Sequence, residues 1–381
     1  MKFKANYRLL FIGLILAAFA IREVAVELRP SFLRPGLHLI AYVGNTADGT
    51  VTVIDLIKLS TVSTLPVGAG PTGIRAHPTR AEIWGLSSAG GYAWVLDSKK
   101  NQIVARIPVG SGPYALDFSP DGRRAFVAAS GSNSLVAIDV ASRQVIARVA
   151  TTRRPWIARV TPDGNLVIVS NRDDASISLF DASSAGASAA PSLALLATIP
   201  VVAAPEQLAI LPDSSKVFVT SGSSDEISVV DLKNKFLLAN LALGGAPNDL
   251  ILKPDGGELY IPSSTSHGLV IVNTQTNEVA SFLLLGMSPV AGALSSDAQT
   301  LYVSDSAAGH VIPVGVAIRR VGRPIAVGGT PLTCRLTPGG DILLVVDTSS
   351  DDLDVIRAKT SSLVTIIPTG NAPRDLAVKL F

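Results

Sequence analysis

The sequence predicts an all-β fold, a single β-propeller of four-stranded antiparallel blades, on three observations: a period, a strand grammar and two incomplete ends. The period is a proline, present as Pro71, Pro113, Pro155, Pro205, Pro247, Pro289, Pro331 and Pro373, with every gap 42 residues except one of 50. Spacing of that size marks an array of equal structural units. Within each unit, short β-branched or aromatic runs alternate with Gly, Pro, Asn, Asp and Ser, which is the pattern of strands joined by tight turns. No stretch after residue 30 shows a long helical period. One small sheet cannot bury both its faces, so the copies must stack around an axis.

Residues 110–151 state the unit most cleanly. A first strand is expected at about Ala115–Ser119, stopped by the Pro120-Asp121-Gly122 turn. A second follows at Ala125–Ala129, and Gly131-Ser132-Asn133-Ser134 reverses the chain. The third, Leu135–Asp139, ends in an Asp suited to bond the backbone of its own turn. The fourth covers Gln144–Ala150 and leads through small residues to the next proline. The eight prolines enclose seven full units. Residues 40–67 read as a unit without its first strand, and Pro373–Phe381 reads as a first strand without its unit. Joined, the two pieces make an eighth blade and close the ring without a covalent link, which removes open sheet edges. Eight blades are expected, with seven the alternative if the ends do not pair.

Two columns test the register. Tyr42, Trp84, Phe126, Ile168, Phe218, Tyr260, Tyr302 and Leu344 occupy one second-strand position, all large and apolar. Side chains on a strand alternate faces, so a shared phase implies a shared core position between blades. Asp55, Asp97, Asp139, Asp181, Asp231 and Asn273 occupy the end of the third strand, a position that becomes Gly315 and Arg357 in the last two full units.

Tyr42-Val43-Gly44-Asn45, Thr52-Val53-Ile54-Asp55, Ile107-Pro108-Val109-Gly110 and Ser119-Pro120-Asp121-Gly122 together resemble the YVTN family of β-propeller repeats. The resemblance spans about residues 40–381. It implies the fold strongly and a reaction weakly, since such proteins are mostly extracytoplasmic and often without an assigned activity. A binding or scaffold role is what the resemblance implies.

Outside the repeat, Lys2, Lys4 and Arg8 precede an uncharged apolar run from Leu9 to Ala20. The run is shorter than the roughly 20 residues a spanning helix needs, and Ala18-Phe19-Ala20 is a small-x-small cleavage pattern. Residues 1–20 are therefore read as a signal peptide, with an uncleaved membrane anchor as the rival, and 21–39 as a linker to a propeller at 40–381. Both readings place the propeller outside the cytoplasm, in the periplasm, on the cell surface or secreted. The eight extra residues, Ser183 to Ala190, have the Ser/Ala/Gly composition of a flexible loop. A net charge of +2 gives no field for nucleic acid, and 48% hydrophobic with 16% charged residues suits many buried strands. Cys334 is the single cysteine, so an intrachain disulfide, a thiolate metal cluster and a Cys-x-x-Cys-His haem site are excluded. It is expected to be buried and inert.

Propellers bind at the tunnel mouth, so residues that break the small-residue pattern there are the ligand candidates. Arg153, Arg154 and Trp156 flank Pro155, where other units have Gly and Ala. Two guanidiniums beside an indole are suited to a carboxylate or sugar, unless Asp173 and Asp174 pair with them. Four residues past the proline, Arg75, Asp117 and Arg159 fall on consecutive blades and predict a cross-blade ion ladder. Asp249 and Asp375, with Arg374 adjacent, are expected to line the mouth. The histidines His38, His77, His267 and His310 read as surface residues that do not assemble a metal site. No catalytic residue, metal or cofactor is expected. The function predicted is a non-enzymatic extracytoplasmic binding or scaffold propeller, presenting a rigid face to a protein or glycan of the cell envelope. A membrane is contacted only through an uncleaved N-terminal segment. The alternative is a lactonase-type hydrolase with a metal-assisted site at the tunnel mouth.

Overall fold

The computed structural model describes residues 38–183 and 193–381. The expected signal peptide, all but the end of the expected linker, and the inserted loop after Ser183 lie outside the described residues. Eight antiparallel sheets are arranged as eight blades, seven beginning at the successive prolines from Pro71 to Pro331 (blades 1–7) and an eighth built from both ends of the described chain. In blade 2 the strands are Pro113–Phe118, Arg124–Ala129, Ser134–Asp139 and Gln144–Ala150, ordered from the axis outward. The first strand starts on the proline itself, two residues earlier than the sequence suggests. Proline is tolerated there because the opening residue of an edge strand need not donate to the ladder.

The strands bury as layers. Both middle strands are buried nearly throughout, as in Arg124–Ala129 and Ser134–Asp139, whereas the outer strand Gln144–Ala150 is mostly exposed or half-exposed. A sheet covered on both faces by neighbours needs continuous apolar runs instead of strict alternation. The core clusters accordingly span neighbouring blades. Trp84, Leu86 and Val95 of blade 1, for instance, pack on Leu116, Val127 and Val136 of blade 2. All eight members of the aromatic column, Tyr42 through Leu344, are at most 3% exposed, as their shared phase requires. The tyrosine hydroxyls of this column find partners: Tyr302 donates to the Ala358 carbonyl at 2.7 Å, Tyr42 to the Ser98 carbonyl at 3.3 Å, and Tyr260 to Glu258 Oε2 at 2.6 Å.

The Asp column performs its expected turn chemistry. Asp55 Oδ1 accepts the amides of Ile57 (2.9 Å) and Lys58 (3.0 Å), and Asp97, Asp139, Asp231 and Asn273 do likewise in their blades. Blade 6 departs from the pattern. Its outer strand is cut into Arg320–Val321 and Ile325–Ala326, because Pro324 lies between them and cannot donate to a ladder.

Closure occurs at blade 8. Its inner strand is Pro373–Leu380, which pairs antiparallel with Leu39–Asn45 from Leu39↔Leu380 to Gly44↔Asp375. Thr50–Asp55 and Ser60–Pro66 complete the sheet. The amide of His38 donates to the Phe381 carbonyl at 2.8 Å, the reverse bond is 3.0 Å, and the two rings stack with centroids 5.4 Å apart. His38 thus belongs to the seam. Asn371 adds two bonds to the Asp48 carboxylate, at 2.7 and 2.8 Å. Among the described residues no helix is long and apolar enough to cross a membrane.

Candidate functional site

The inner strands surround a chamber on the ring axis with a volume of about 730 Å³. Its wall comes from the residues just after each proline, which explains both its small side chains and the significance of the exceptions. The charged exceptions are Arg75, Arg159, Arg335 and Arg374 against Asp249 and Asp375. Arg75, Arg159 and Arg335 share one register, four residues past the prolines of blades 1, 3 and 7. That register brings three guanidiniums to one depth from different directions.

The predicted ladder is rearranged. Asp375 is the acid that stands between arginines, with Arg75 Nη1 at 3.9 Å from Oδ2 and Arg335 Nη2 at 3.7 Å from Oδ1. Asp117 does not line the chamber; its Oδ2 accepts the Val160 amide of the next blade at 3.0 Å. The same stitch recurs where Asp375 Oδ2 accepts the Ile74 amide (2.8 Å) and Asp249 Oδ2 accepts the Gly292 amide (3.2 Å). An inner strand has a free edge toward the tunnel, and a short carboxylate satisfies its neighbour's outward N–H. Asp117 therefore lies on the expected strand and acts on Arg159 through its charge, while its hydrogen bond goes to a backbone amide and not to a guanidinium.

Four arginines against two aspartates leave the chamber lining net positive. Burial, then the nearby Arg75 charge, pushes the Arg159 guanidinium down to about 10. Burial and Arg75 likewise lower Arg335, whose Nε lacks a hydrogen-bond partner. Arg159 reaches only its own blade's Ala158 carbonyl, at 3.2 Å. Burial raises Asp249, even though its carboxylate accepts the Leu250 and Gly292 amides. Cys334 sits in the chamber wall but is only 7% exposed, and burial lifts its thiol to about 12, so it is a packing residue.

The rim patch is built differently. Arg153 Nε bonds Asp174 Oδ1 at 2.5 Å and Arg154 Nη1 lies 3.5 Å from Asp173 Oδ1, so both guanidiniums are engaged by the two acids. Trp156 stacks on Tyr114 of blade 2 with ring centroids 3.6 Å apart, under the guanidiniums of Arg154 (5.2 Å) and Arg172 (5.0 Å). Tyr114 itself borders the chamber, so this stack forms part of its rim. Arg374 is exposed. His77 corrects the expectation of surface histidines. It is 1% exposed, Nδ1 accepts the Thr79 and Arg80 amides, and Nε2 is 2.7 Å from the Gly122 carbonyl of blade 2. Away from the axis, Asp347, Asp352 and Asp354 of blade 7 bring carboxylate oxygens within 4.8 Å of one another. The sequence reading named none of these three. Their signal is in the columns, where blades 3 and 8 carry Asn171-Ser176-Ser178 and Asn45-Thr50-Thr52 at the same positions.

Residues 83–241 match the family described as lactonase, 7-bladed beta-propeller. The kinship is with propellers. The match covers blades 1 to 4 of a ring that has eight. No curated protein matches. Among solved structures, the chain is similar to the dihydro-heme d1 dehydrogenase NirN in complex with DHE (TM-score 0.74, 15% identity, 88% of this chain and 74% of that one). It is also similar to Kuenenia stuttgartiensis hydrazine synthase (TM-score 0.61, 16% identity, 75% and 95%). A third is a functionally unknown protein from Desulfotomaculum acetoxidans DSM 771 (TM-score 0.60, 15% identity, 77% and 97%). At these identities the likeness concerns fold alone.

Proposed function

We propose that this chain is a binding propeller whose axial chamber takes a carboxylate-bearing ligand, either a small acid or an acidic group of an envelope component. The observation that carries the reading is the trio Arg75, Arg159 and Arg335 at one register around the chamber, with Asp375 alone set between two of them. Guanidinium is planar and forked, and it matches carboxylate geometry better than any other side chain. Asp375, Asp249 and Asp117 offset part of the trio's charge, and an entering carboxylate would add a further partner for Arg159 and Arg335. The Tyr114–Trp156 stack supplies a flat apolar rim for a ring or sugar attached to the acid. The similarity to a propeller solved in complex with DHE supports the idea that this architecture carries bound small molecules. The basic, then apolar N-terminus supports an extracytoplasmic location.

The test is thermal shift and calorimetry of the full chain with citrate and glucuronate, beside the neutral probe glucose. Binding at about 100 times Kd stabilises by ~2.7 kcal/mol, an easily read shift. The anions should stabilise the wild type and leave an Arg159→Gln, Arg335→Gln variant unmoved. No response to either anion, or an equal response in the variant, overturns the reading.

The lactonase-family match favours a second reading, hydrolysis of a lactone in the same chamber. Asp249, raised by burial and facing the chamber, is the residue placed to act as base. Turnover of a lactone panel followed by acid release, absent from Asp249→Asn, would support it. Anion binding without turnover would leave the binding reading in place.

A further inference from the structure

Blade 7 buries three carboxylates where blades 3 and 8 bury an amide and two hydroxyls. The positions lie 16, 21 and 23 residues past the blade proline. In blade 8 they are Asn45, Thr50 and Thr52, and Asn45 Nδ2 donates to the two hydroxyls at 2.9 and 2.8 Å. In blade 3 they are Asn171, Ser176 and Ser178, joined the same way at 3.2 and 2.9 Å. Each triad is neutral and has an N–H donor at its centre. In blade 7 the positions hold Asp347, Asp352 and Asp354, which are 0%, 9% and 0% exposed. One oxygen from each lies within 4.8 Å of the others. Asp347 Oδ2, Asp352 Oδ1 and Asp354 Oδ1 have no hydrogen-bond partner.

The outward-facing oxygens show that the residues are held in place. Asp347 Oδ1 accepts the Thr330 amide at 2.6 Å, and Asp354 Oδ2 accepts the Gly328 amide at 3.2 Å. Gly328 leaves space beside the unpartnered oxygen, because a Cβ there would stand 2.5 Å from Asp347 Oδ2. Among the described residues no cationic side chain makes an ion pair with any of the three. Blade 6 supplies a control: its single Asp305 is satisfied by the Met287 and Ser288 amides at 2.7 and 2.8 Å. One acid at this position needs only backbone. Three facing acids need positive charge.

We propose that Asp347, Asp352 and Asp354 form a divalent-cation site in blade 7, of all-oxygen chemistry suited to Ca²⁺, which stands where the amide N–H groups stand in blades 3 and 8. Calcium accepts carboxylate oxygens at about 2.3–2.6 Å with flexible geometry, so oxygens up to about 4.8 Å apart fit around one ion. Hard carboxylate donors without His or Cys exclude a preference for soft metals. None of the three residues lines the axial chamber, so the ion is structural. The turn between Asp347 and Asp352 grips the start of the closing strand: Thr348 Oγ1 donates to the Pro373 carbonyl at 2.7 Å, and Asp351 Oδ1 accepts the Ala372 amide at 2.8 Å. An ion that fixes this turn therefore fixes ring closure.

The experiment strips the full chain with EDTA at pH 8 and adds back CaCl₂, MgCl₂ or ZnCl₂ at about 1 mM, within the range of extracellular calcium sites. Calorimetry should give one Ca²⁺ per chain. Melting temperature should rise with calcium, less with magnesium, and amide exchange in residues 373–380 should slow. Asp354→Asn should lose the calcium response. Because that variant risks misfolding, a second variant, Asp347→Asn with Asp352→Thr and Asp354→Thr, installs the blade 8 triad. It should fold, melt at or above the calcium-loaded wild type, and ignore both EDTA and calcium. A wild type indifferent to EDTA and calcium overturns the proposal, as does a triad variant that still binds one calcium.

Discussion

Removing one side chain from the closing strand should open the ring locally, whereas the same removal elsewhere should not. Leu376, three residues past Pro373, is fully buried and packs with Val43, Ile54, Leu344 and Val346 between blades 7 and 8. Leu116 holds the same position in blade 2, is equally buried, and packs between blades 1 and 2. Leu376→Ala and Leu116→Ala remove the same three carbons, worth ~2.4 kcal/mol by transfer alone and about 3 kcal/mol once the residual cavity is included. Global denaturation should register about that loss in both. The two differ in tethering. The inner strand of blade 2 is continuous with chain at both ends, whereas Pro373–Leu380 is joined to the ring at its N-terminal end and held at the other by Leu39–Asn45. At ~1.4 kcal/mol per decade, 3 kcal/mol taken from seam opening alone should speed amide exchange in residues 39–45 and 373–380 by about 100-fold in Leu376→Ala. In Leu116→Ala those amides should change far less than the global loss. Hydrogen exchange with mass spectrometry reads both segments directly. Equal seam protection in the two variants would show that the ends do not act as a separable latch, and the closure argument would fail.

Three further outcomes follow from individual contacts. His77 is buried with its Nδ1 accepting two amides, and burial lowers its pKa below 6.5; the unfolded chain then binds the extra proton first, so stability is complete above about pH 6.5 and is lost as pH falls toward the folded value. A urea series from pH 7.5 to 5 should show that slope in the wild type and a flatter one in His77→Gln. Gly85→Ala would set a Cβ 2.2 Å from Trp94 Cζ2 in a fully buried site, so denaturation should show a loss of about 1–3 kcal/mol and the tryptophan emission should shift. Arg159→Gln removes one of three repelling guanidiniums, so without ligand it should melt slightly above wild type, by about 0.5 kcal/mol, while losing the anion response.

Legibility in the sequence followed the repeat. Counting from the prolines reached the eight blades, the closing strand, the buried aromatic column and the turn aspartates, because each depends on where a residue sits within its own unit. Partners across the axis were beyond that method. Arg75 meets Asp375 because blades 8 and 1 adjoin in a ring, although the two residues lie at opposite ends of the chain. Asp117 shares a column with Arg75 and Arg159 but spends its carboxylate on the Val160 amide, a bond set by strand geometry. His77 ends a strand in sequence and is covered by blade 2 in space. The blade 7 aspartates were visible as letters and unremarkable singly. Only superposing Asn45-Thr50-Thr52 on Asp347-Asp352-Asp354 shows that three neutral positions have become three charges.

The two proposed sites meet at the seam. Asp375 belongs to the closing strand and is the acid placed between Arg75 of blade 1 and Arg335 of blade 7. Whatever seats that strand therefore sets how much positive charge the chamber shows. The turn gripping Ala372 and Pro373 is the one flanked by Asp347 and Asp352. A strand held by a filled blade 7 site keeps Asp375 in place and the arginines at fixed separation, the preorganised state that a carboxylate ligand requires. A frayed strand withdraws Asp375 and lets the arginines spread. Binding to the first state alone obliges the two sites to assist each other equally, since coupling between two equilibria is reciprocal. Glucuronate, a monocarboxylate that leaves free calcium nearly unchanged, should then bind the calcium-loaded wild type more tightly than the calcium-free one, by the same factor that glucuronate tightens calcium.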